Sequence, residues 1–196
     1  ICTTPGQAAY IPFGHDYPEA PQQLKQSDVL DQLSVFLNDP KKLVIGQNLK
    51  FDLSILARYG RTINAPIADT MLESYVYNSV ATRHNMDDLA QKYLGRKTVK
   101  FDEIAGKGVK QRTFNQIELE AAGHYAAEDA DITFQLHEAL WPKISGDNRL
   151  LPVYQNLEVP LIRVLSQIER NGVLIDCKML ETQSEEITRE LADLTV

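Results

Sequence analysis

The apolar and polar positions of the chain alternate between strand-like runs and helix-like periods. Continuous apolar runs predict short strands at residues 1–4, 8–12 and 43–46. Apolar residues spaced three and four apart predict helices at about residues 27–37, 49–59, 70–78, 85–93, 119–140, 154–170 and 177–196. Strands followed by helices are typical of an α/β domain, but so few convincing strands before residue 100 do not make a stable open sheet. Further strands are therefore expected, either unrecognised in this sequence or upstream of Ile1.

Short polar residues predict where these helices begin. Ser27, Asn48, Asp69, Thr113 and Asp176 each stand before a helical segment, where such side chains accept hydrogen bonds from the first backbone N–H groups. Asp69 is therefore interpreted as a helix cap rather than a ligand. Residues 98–111 carry glycines and lysines at their tip and are predicted to form a loop.

The composition of the sequence changes after residue 142. Residues 145–148, Ser-Gly-Asp-Asn, have the composition of a linker. We therefore predict one domain over residues 1–147 and the beginning of a second, mainly helical domain over residues 148–196. The last predicted helix carries an apolar stripe with no evident partner in so small a piece, and the stripe comprises Leu180, Gln183, Ile187, Leu191 and Leu194.

Charge and composition narrow the functional classes. The formal net charge of −7 argues against a protein that coats nucleic acid, but it is compatible with an enzyme that takes one nucleic-acid end into a local site. No apolar run approaches about 18 residues and the N-terminus lacks a signal-like segment, so neither a membrane span nor export is indicated. Cys2 and Cys177 lie far apart, which fits a reducing compartment.

Asp129 is the acid whose position most needs an explanation. On a helical wheel it lies in the middle of the apolar stripe of its helix, whereas Glu128 and Asp131 point away. Tyr125 lies one turn earlier on the same face, about 5–6 Å away at the Cβ atoms. Two interpretations remain open. Asp129 is either a core acid satisfied by hydrogen bonds or an arginine, or a metal-bound carboxylate with the tyrosine hydroxyl aimed at the same place.

Asp52 repeats this arrangement on another helix. It shares a helix face with Leu49, Ile55 and Tyr59, and it lies in the first turn after a strand end, where open α/β sheets bind ligands. If Asp52 and Asp129 converge, their charges repel each other unless a cation bridges them. Carboxylate oxygens favour the hard divalent ions Mg²⁺ and Mn²⁺, whereas the scattered histidines and cysteines do not predict a zinc site.

Basic and aromatic residues near these acids also admit two interpretations. Lys50, Arg83 and the basic cluster at residues 107–112 are either solvated surface or contacts to phosphate. Phe101, in the predicted loop, is either a core residue or a platform on which a base stacks.

Four segments together resemble the proofreading 3′–5′ exonuclease domain of bacterial DNA polymerase I, a family A polymerase. They are residues 46–52 (Gly-Gln-Asn-Leu-Lys-Phe-Asp), 69–75 (Asp-Thr-Met-Leu-Glu-Ser-Tyr), 101–108 (Phe-Asp-Glu-Ile-Ala-Gly-Lys-Gly) and 125–131 (Tyr-Ala-Ala-Glu-Asp-Ala-Asp). They occur in order and at matching spacing. Residues 160–161 and 168–173 resemble the start of the polymerase domain that follows in that family.

The resemblance implies a fold and a set of site residues. The fold would be ribonuclease H-like, a mixed α/β sheet flanked by helices. Asp52 would be the acid of the second family motif, and Tyr125 and Asp129 would be the tyrosine and the acid of the third, with both acids binding metal. Phe51 occupies a position where the family that this sequence resembles has a tyrosine, so a contact through a tyrosine hydroxyl is absent here. The positions that match the lining of the single-strand groove are Gln47, Asn48, Lys50, Arg83 and Phe101.

The first family motif, an Asp-x-Glu on the central strand, is absent from this sequence. It is expected upstream of Ile1, so the chain is interpreted as an N-terminally truncated domain that lacks part of its metal-binding acids. For the complete enzyme, the resemblance implies hydrolysis of the terminal phosphodiester with two Mg²⁺ or Mn²⁺ ions about 4 Å apart. These 196 residues alone are predicted to have little or no nuclease activity.

The resemblance also implies partners and alternatives. The partners would be a single-stranded or frayed DNA 3′ end and a polymerase domain in cis, with no membrane, in a cytoplasmic, nucleoid-associated protein of DNA replication and repair. The alternative is a non-catalytic structural or DNA-binding part of a polymerase, against which the presence of Asp52, Tyr125 and Asp129 argues. A related RNA-trimming exonuclease is a third interpretation, and the polymerase-like residues after 148 argue against it.

Overall fold

The computed structural model describes residues 1–195, in which short strands alternate with longer helices. The strands are β1 (Cys2–Thr4), β2 (Gln7–Ala8), β3 (Val44–Gly46) and β4 (Ile67–Asp69). The helices are α1 (Gln26–Leu37), α2 (Leu49–Arg58), α3 (Thr70–Tyr77), α4 (Met86–Leu89), α5 (Phe101–Ala105), α6 (Leu119–Ser145), α7 (Leu150–Val153), α8 (Val159–Asn171) and α9 (Cys177–Leu194). The predicted helix-rich α/β class is therefore confirmed, while the ribonuclease H-like topology stays a prediction.

Because β3 and β4 pair in parallel, the segments that follow these two strands begin at the same edge of the sheet. Gly46 lies opposite Asp69, and all of β4 is buried. The sequence did not predict β4, because its three residues are too short an apolar run to stand out. β1 and β2 form a separate antiparallel hairpin, and β2 covers only Gln7–Ala8 rather than the predicted strand at 8–12. Within residues 1–195 the strands form just these two pairs, so the shortage of strands that the sequence indicates is also present in the structure.

The predicted helix caps at Ser27 and Thr113 are wrong. Lys25 precedes α1, and Ser27 lies inside that helix, where its hydroxyl donates to Asp28 Oδ1 at 3.0 Å. Thr113 precedes a 3₁₀ turn, and α6 begins only at Leu119. In both places a short polar residue lies near a helix start without supplying its cap.

The segment predicted as a loop at residues 98–111 contains the helix α5. Ala105 at its end is buried with Ile117 and Ala122, and Phe101 at its start packs against the same cluster. Asp102 lies in the first turn, where a negative charge complements the helix dipole. The helix was missed because one and a half turns are too short to show a hydrophobic period, so its existence depends on tertiary packing.

The domain packs around α6, whose 27 residues extend beyond the predicted end at about residue 140. This helix contacts β1, β3 and α3. Its residues Ile132, Leu136 and Leu140 form a fully buried cluster with Leu89 and Ala90, at the junction of α4 and the π-helical turn that extends it. Loss of any one of these large side chains would leave a cavity in the centre of the domain.

Helix α8 and the π-helical turn before it (Tyr154–Glu158) pack against the α/β part of the chain. The Tyr154 hydroxyl accepts a hydrogen bond from the Asp69 backbone N–H at 2.9 Å. Arg163 Nη1 donates to the Ile63 carbonyl at 2.6 Å, and Ile162 is buried in the same core cluster as Ile63. The boundary at residue 148 stays a prediction.

Helix α9, by contrast, exposes its apolar stripe. Leu180, Ile187, Leu191 and Leu194 are each more than half exposed. The predicted cap of α9 is confirmed, because Asp176 accepts a hydrogen bond from the Met179 N–H at 3.0 Å. None of the helices in residues 1–195 has both the length and the apolar character that crossing a membrane requires.

Candidate active site

Asp69 joins the end of β4 to the starts of two helices. Its Oδ2 accepts a hydrogen bond from the Leu49 N–H at 2.7 Å, and its Oδ1 accepts from the N–H groups of Asn48 at 3.1 Å and Met71 at 2.9 Å. Asp69 is 1% exposed. Because these donors are at the start of α2 and of α3, a single carboxylate caps both helices. The predicted capping role of Asp69 is thereby confirmed.

The predicted cap at Asn48 is wrong, because Asp69 supplies the acceptor. Asn48 occupies the N-cap position of α2 in a left-handed conformation, with φ 59° and ψ 49°. Gly46, just before this turn, is in close contact with α2: a Cβ atom at Gly46 would lie 2.5 Å from Leu49 Cδ1. The turn is therefore compact, and it fixes the direction in which the first turn of α2 leaves β3.

Asp52 lies in that first turn of α2. The pKa of its carboxyl is raised from 3.8 to about 6, because the effects of burial and of the negative charge of Asp69 outweigh that of a backbone hydrogen bond, which lowers it. The residue as a whole keeps an exposed surface. Contact with solvent opposes the effect of burial and favours the ionised carboxylate.

Tyr125 and Asp129 lie one turn apart on α6. The Tyr125 ring packs against Phe101 and Phe114, with centroid distances of 6.1 and 6.2 Å. Burial raises the pKa of Asp129 from 3.8 to about 6, and the Tyr125 hydroxyl lowers it. Burial, together with the charge of Asp129, raises the pKa of Tyr125 to about 12. The phenol is therefore protonated at neutral pH and can donate a hydrogen bond beside the carboxylate.

Asp87 is an acid near this pair that the sequence did not reveal. Its negative charge raises the pKa of both Tyr125 and Asp129. Asp87 Oδ1 and Glu128 Oε2 accept hydrogen bonds, at 2.6 and 2.7 Å, from residues 98–99, which lead into α5. Asp87 belongs to α4, far from α6 along the chain, and the periodicity of one helix carries no signal about its neighbours.

The side of α6 that carries Asp131 is also covered. Asp131 was predicted to point away from the packed stripe, yet it is only 7% exposed. It accepts hydrogen bonds from the Gly6 N–H at 2.6 Å, from Gln135 Nε2 at 2.7 Å and from Arg96 Nη1 at 3.1 Å. Burial acts to raise its pKa, but these bonds and the Arg96 charge outweigh burial and lower it. The hairpin β1–β2 packs on this face, so α6 has two covered sides.

The predicted groove residues take different places in the structure. Lys50 Nζ pairs with Glu169 Oε1 of α8 at 2.6 Å. Gln47 Nε2 donates to the His84 carbonyl at 2.9 Å. Arg83, in the segment between α3 and α4, is exposed. The structure therefore brings Gln47 and the Arg83 segment together, and it ties Lys50 to α8.

Phe101 is half-buried rather than free in a loop. It stacks on Phe114, with centroids 6.5 Å apart and planes at 23°, and it meets the Tyr125 ring edge-on. These contacts support the core interpretation of Phe101 and make it part of the wall that holds the tyrosine. Phe51, in contrast, is 63% exposed at the start of α2.

Asp52 and Asp129 lie on helices that both contact β3. Carboxylate oxygens of this kind fit Mg²⁺ or Mn²⁺ chemically. Within the part of the chain that the structure describes, however, no three His, Cys, Asp or Glu side chains form a group that could hold a metal ion. The type of donor therefore fits a divalent cation, while the number of donors does not complete a site.

A sequence model of the 3′–5′ exonuclease family matches residues 1–145, so this chain belongs to the 3′–5′ exonuclease family. The chain is 50% identical over 195 residues to DNA polymerase I of Pseudomonas aeruginosa, which covers 96% of this chain and 21% of that protein. It is 36% identical to DNA polymerase I of Rhizobium leguminosarum, over 96% of this chain and 19% of that protein. The chain thus spans about a fifth of the length of these relatives, and the resemblance seen in its motifs is confirmed.

A solved structure is similar in fold. It is the polymerase domain of Pol1 from M. smegmatis in complex with DNA primer-template and dNTP, and it matches with a TM-score of 0.64 at 23% identity. The match covers 87% of this chain and 26% of that chain. At this identity the match shows a shared fold.

Proposed function

We propose that this chain is the exonuclease part of a polymerase of the DNA polymerase I type, and that it removes nucleotides from a single-stranded or frayed DNA 3′ end. Membership of the 3′–5′ exonuclease family supports the reaction. Relatives named DNA polymerase I support a polymerase domain in the same polypeptide. The observation that carries the proposal is that Asp52 and Asp129 lie on two helices that both contact β3, with Tyr125 one turn before Asp129 on α6. The raised pKa values of both carboxyls, about 6, are consistent with this placement.

Each residue has a distinct part in the proposed reaction. Asp52 and Asp129 supply carboxylate oxygens, which are ionised at neutral pH because their pKa values lie near 6. Tyr125, with a pKa near 12, keeps its proton and orients a water molecule by a hydrogen bond. Lys50 and Arg83 offer positive charge to the phosphates of the strand. A frayed or mispaired end is favoured, because unpairing it costs less free energy.

The metal requirement follows from these donors. Asp52 and Asp129 would hold part of a site for Mg²⁺ or Mn²⁺, ions that supply an activated water and stabilise a leaving oxygen in phosphodiester hydrolysis. Since no group of three candidate ligands occurs in residues 1–195, the site would need further carboxylates from outside this segment. We therefore propose weak ion binding by this chain alone and a ribonuclease H-like arrangement in the assembled domain.

The test is a chimera in which this chain replaces its counterpart in DNA polymerase I of P. aeruginosa, a relative with 50% identity over 195 residues. With Mg²⁺ and a labelled single strand, the chimera should shorten the strand from the 3′ end. Asp52→Asn and Asp129→Asn should each lower the rate by about 100-fold or more, a loss typical of a removed metal ligand or electrostatic group.

Asp193→Asn is the matched control, because it removes an exposed carboxylate from α9. It should leave the rate unchanged. Strand shortening that is insensitive to both Asp52→Asn and Asp129→Asn would contradict the proposal. A folded chimera that binds the strand but does not shorten it would instead support a non-catalytic DNA-binding domain.

A further inference from the structure

His84, which lies between Arg83 and Asn85, has an unusual backbone conformation. Its φ is +57°, in the left-handed region that residues with a Cβ atom rarely adopt. Arg83 precedes it and is exposed. Asn85 follows it and caps α4, accepting a hydrogen bond from the Asp88 N–H at 2.8 Å. A strained residue in this place requires specific contacts that hold it there.

Those contacts involve every polar group of His84. Its N–H donates to Thr82 Oγ1 at 2.9 Å, and its carbonyl accepts from Gln47 Nε2 at 2.9 Å. Its ring lies 2.9 Å from Ser74 Oγ at Nδ1 and 3.0 Å from the Ser79 carbonyl at Nε2. A carbonyl can only accept, so Nε2 carries a proton, while Nδ1 pairs with the serine hydroxyl. The imidazole thus bridges α3 and the loop that follows it.

Gln47 connects this loop to the end of β3. Its Oε1 bonds to the Thr70 hydroxyl, and that hydroxyl also lies 3.3 Å from the Gly46 carbonyl. The orientation of the Gln47 amide is fixed by this acceptor role, so its Nε2 is directed to the His84 carbonyl. The backbone at Arg83 is therefore held beside the turn between β3 and α2, which contains Asn48 and leads into Lys50 in the first turn of α2.

We propose that His84 is a positioning residue for DNA binding, which holds the Arg83 guanidinium where it contacts a phosphate of a single strand. This inference rests on the proposed function, because it takes the turn between β3 and α2 as one wall of the strand-binding groove. His84 acts through Arg83 and has no contact with the reacting atoms. Its ring fixes the loop, its carbonyl fixes the loop to Gln47, and the positive charge comes from its neighbour.

The experiment measures binding of the 196-residue chain to a fluorescent oligo(dT) by anisotropy, without a divalent cation, so that it does not depend on cleavage. His84→Gly is the informative variant, because glycine adopts positive φ without strain while the ring bonds are lost. Arg83→Ala and His84→Gly should each raise Kd by about three- to tenfold at low salt. Each should also lower the slope of log Kd against log salt by about 0.7, the value for one lost phosphate contact on a single strand.

The double variant separates positioning from a general structural effect. If His84 acts through Arg83, the Kd of Arg83→Ala/His84→Gly should equal that of Arg83→Ala alone within about twofold, because contacting residues are not additive. Independent, multiplicative losses would overturn the inference. Ser74→Ala, which removes only the partner of Nδ1, should give a smaller loss in the same direction and serves if His84→Gly does not fold. His124→Ala, at an exposed histidine of α6, is the control and should bind normally.

The outcome is distinct from that of the chimera test. Cleavage insensitive to both Asp52→Asn and Asp129→Asn would defeat the exonuclease proposal, whatever the binding data. An unchanged Kd and salt slope in His84→Gly, with Arg83→Ala impaired, would defeat only the positioning role. A chain that does not bind oligo(dT) even at low salt would overturn the positioning role as well.

Discussion

Asp69 Oδ2 accepts a hydrogen bond from the backbone N–H of Leu49 at 2.7 Å, and this bond ties the end of β4 to the helix that carries Asp52. The other carboxylate oxygen of Asp69 serves α3 through Met71. Burial raises the pKa of Asp69, while its backbone hydrogen bonds act to lower it. Asp69 therefore has a structural role. It lies at the end of β4, whereas Asp52, the acid proposed to bind metal, lies on the helix that follows the neighbouring strand β3.

Asp69→Asn should destabilise the domain, because an amide has one acceptor oxygen where the carboxylate has two. A buried N–H group would lose its acceptor and face an NH₂ group instead, at a cost of about 2–4 kcal/mol in the free energy of unfolding. Urea denaturation followed by circular dichroism measures this. Asp193→Asn, on the exposed surface of α9, should change the stability by less than about 0.5 kcal/mol. Equal effects of the two variants would contradict the capping role.

Asp129→Asn should stabilise the protein at neutral pH. The pKa of Asp129 rises from 3.8 to about 6 on folding, so its contribution to stability is complete below the unfolded pKa and is lost as the pH rises through the folded one. Asparagine does not ionise. After allowance for partial solvent screening, the variant should gain about 1–2 kcal/mol at pH 8 and little at pH 4.

Asp131→Asn is the matched comparison, two positions along the same helix. The pKa of Asp131 is lowered, so its contribution is present above the unfolded pKa and is lost as the pH falls through the folded one. This variant should destabilise the protein at pH 8 and have less effect at low pH. Chemical denaturation at both pH values measures the two variants, and equal signs at pH 8 would contradict the assignment.

The sequence singles out two candidate acids more readily than it predicts their surroundings. Asp52 and Asp129 stand out because a carboxylate on an apolar helix face is locally anomalous. The sequence could not show that Asp69, rather than Asn48, caps α2, because Asp69 reaches α2 only through the pairing of β3 with β4. Asp87 was hidden for the same reason, since its proximity to Tyr125 depends on how α4 packs against α6.

Short strands and helices are the second feature that the sequence does not predict. β4 and α5 have three and five residues, too few for a period to be visible, and both are stabilised by burial against other elements. The bounds of α2 and α3 and the start of α6 were predicted closely, because each helix presents a continuous apolar face. Local patterns therefore determine the long helices, and tertiary contacts determine the pieces that connect them to the site.

Tyr125→Phe removes the hydroxyl and keeps the ring, so it separates the contribution of the hydroxyl to the reaction from that of the ring to packing. The packing against Phe101 and Phe114 is retained, so the free energy of unfolding should change by less than about 1 kcal/mol. In the chimera, strand shortening should slow by about 10- to 100-fold, because the water is no longer oriented. Single-turnover kinetics with a labelled strand measures the rate. A rate equal to that of the unsubstituted chimera would show that the hydroxyl has no part in the reaction.

Glu169→Gln should strengthen DNA binding while hardly changing stability. Glu169 pairs with Lys50 on the surface at 2.6 Å, with side chains 55% and 29% exposed. Such pairs contribute about 0–1 kcal/mol to stability, so unfolding should change little. The released lysine should lower Kd for oligo(dT) by about two- to threefold at low salt, and the gain should vanish at high salt. The gain should also be absent when Lys50→Ala is combined with it.

The central claim is that Asp52 and Asp129 share a divalent cation beside Tyr125. Paramagnetic broadening by substoichiometric Mn²⁺, recorded on the backbone amides of the ¹⁵N-labelled chain, tests this directly. If the two acids share one ion, the amides of Asp52, Tyr125 and Asp129 should broaden at the same Mn²⁺ concentration, and either Asp52→Asn or Asp129→Asn should weaken the broadening at all three. Broadening at one acid without the other, or at both independently of each other, would contradict the claim.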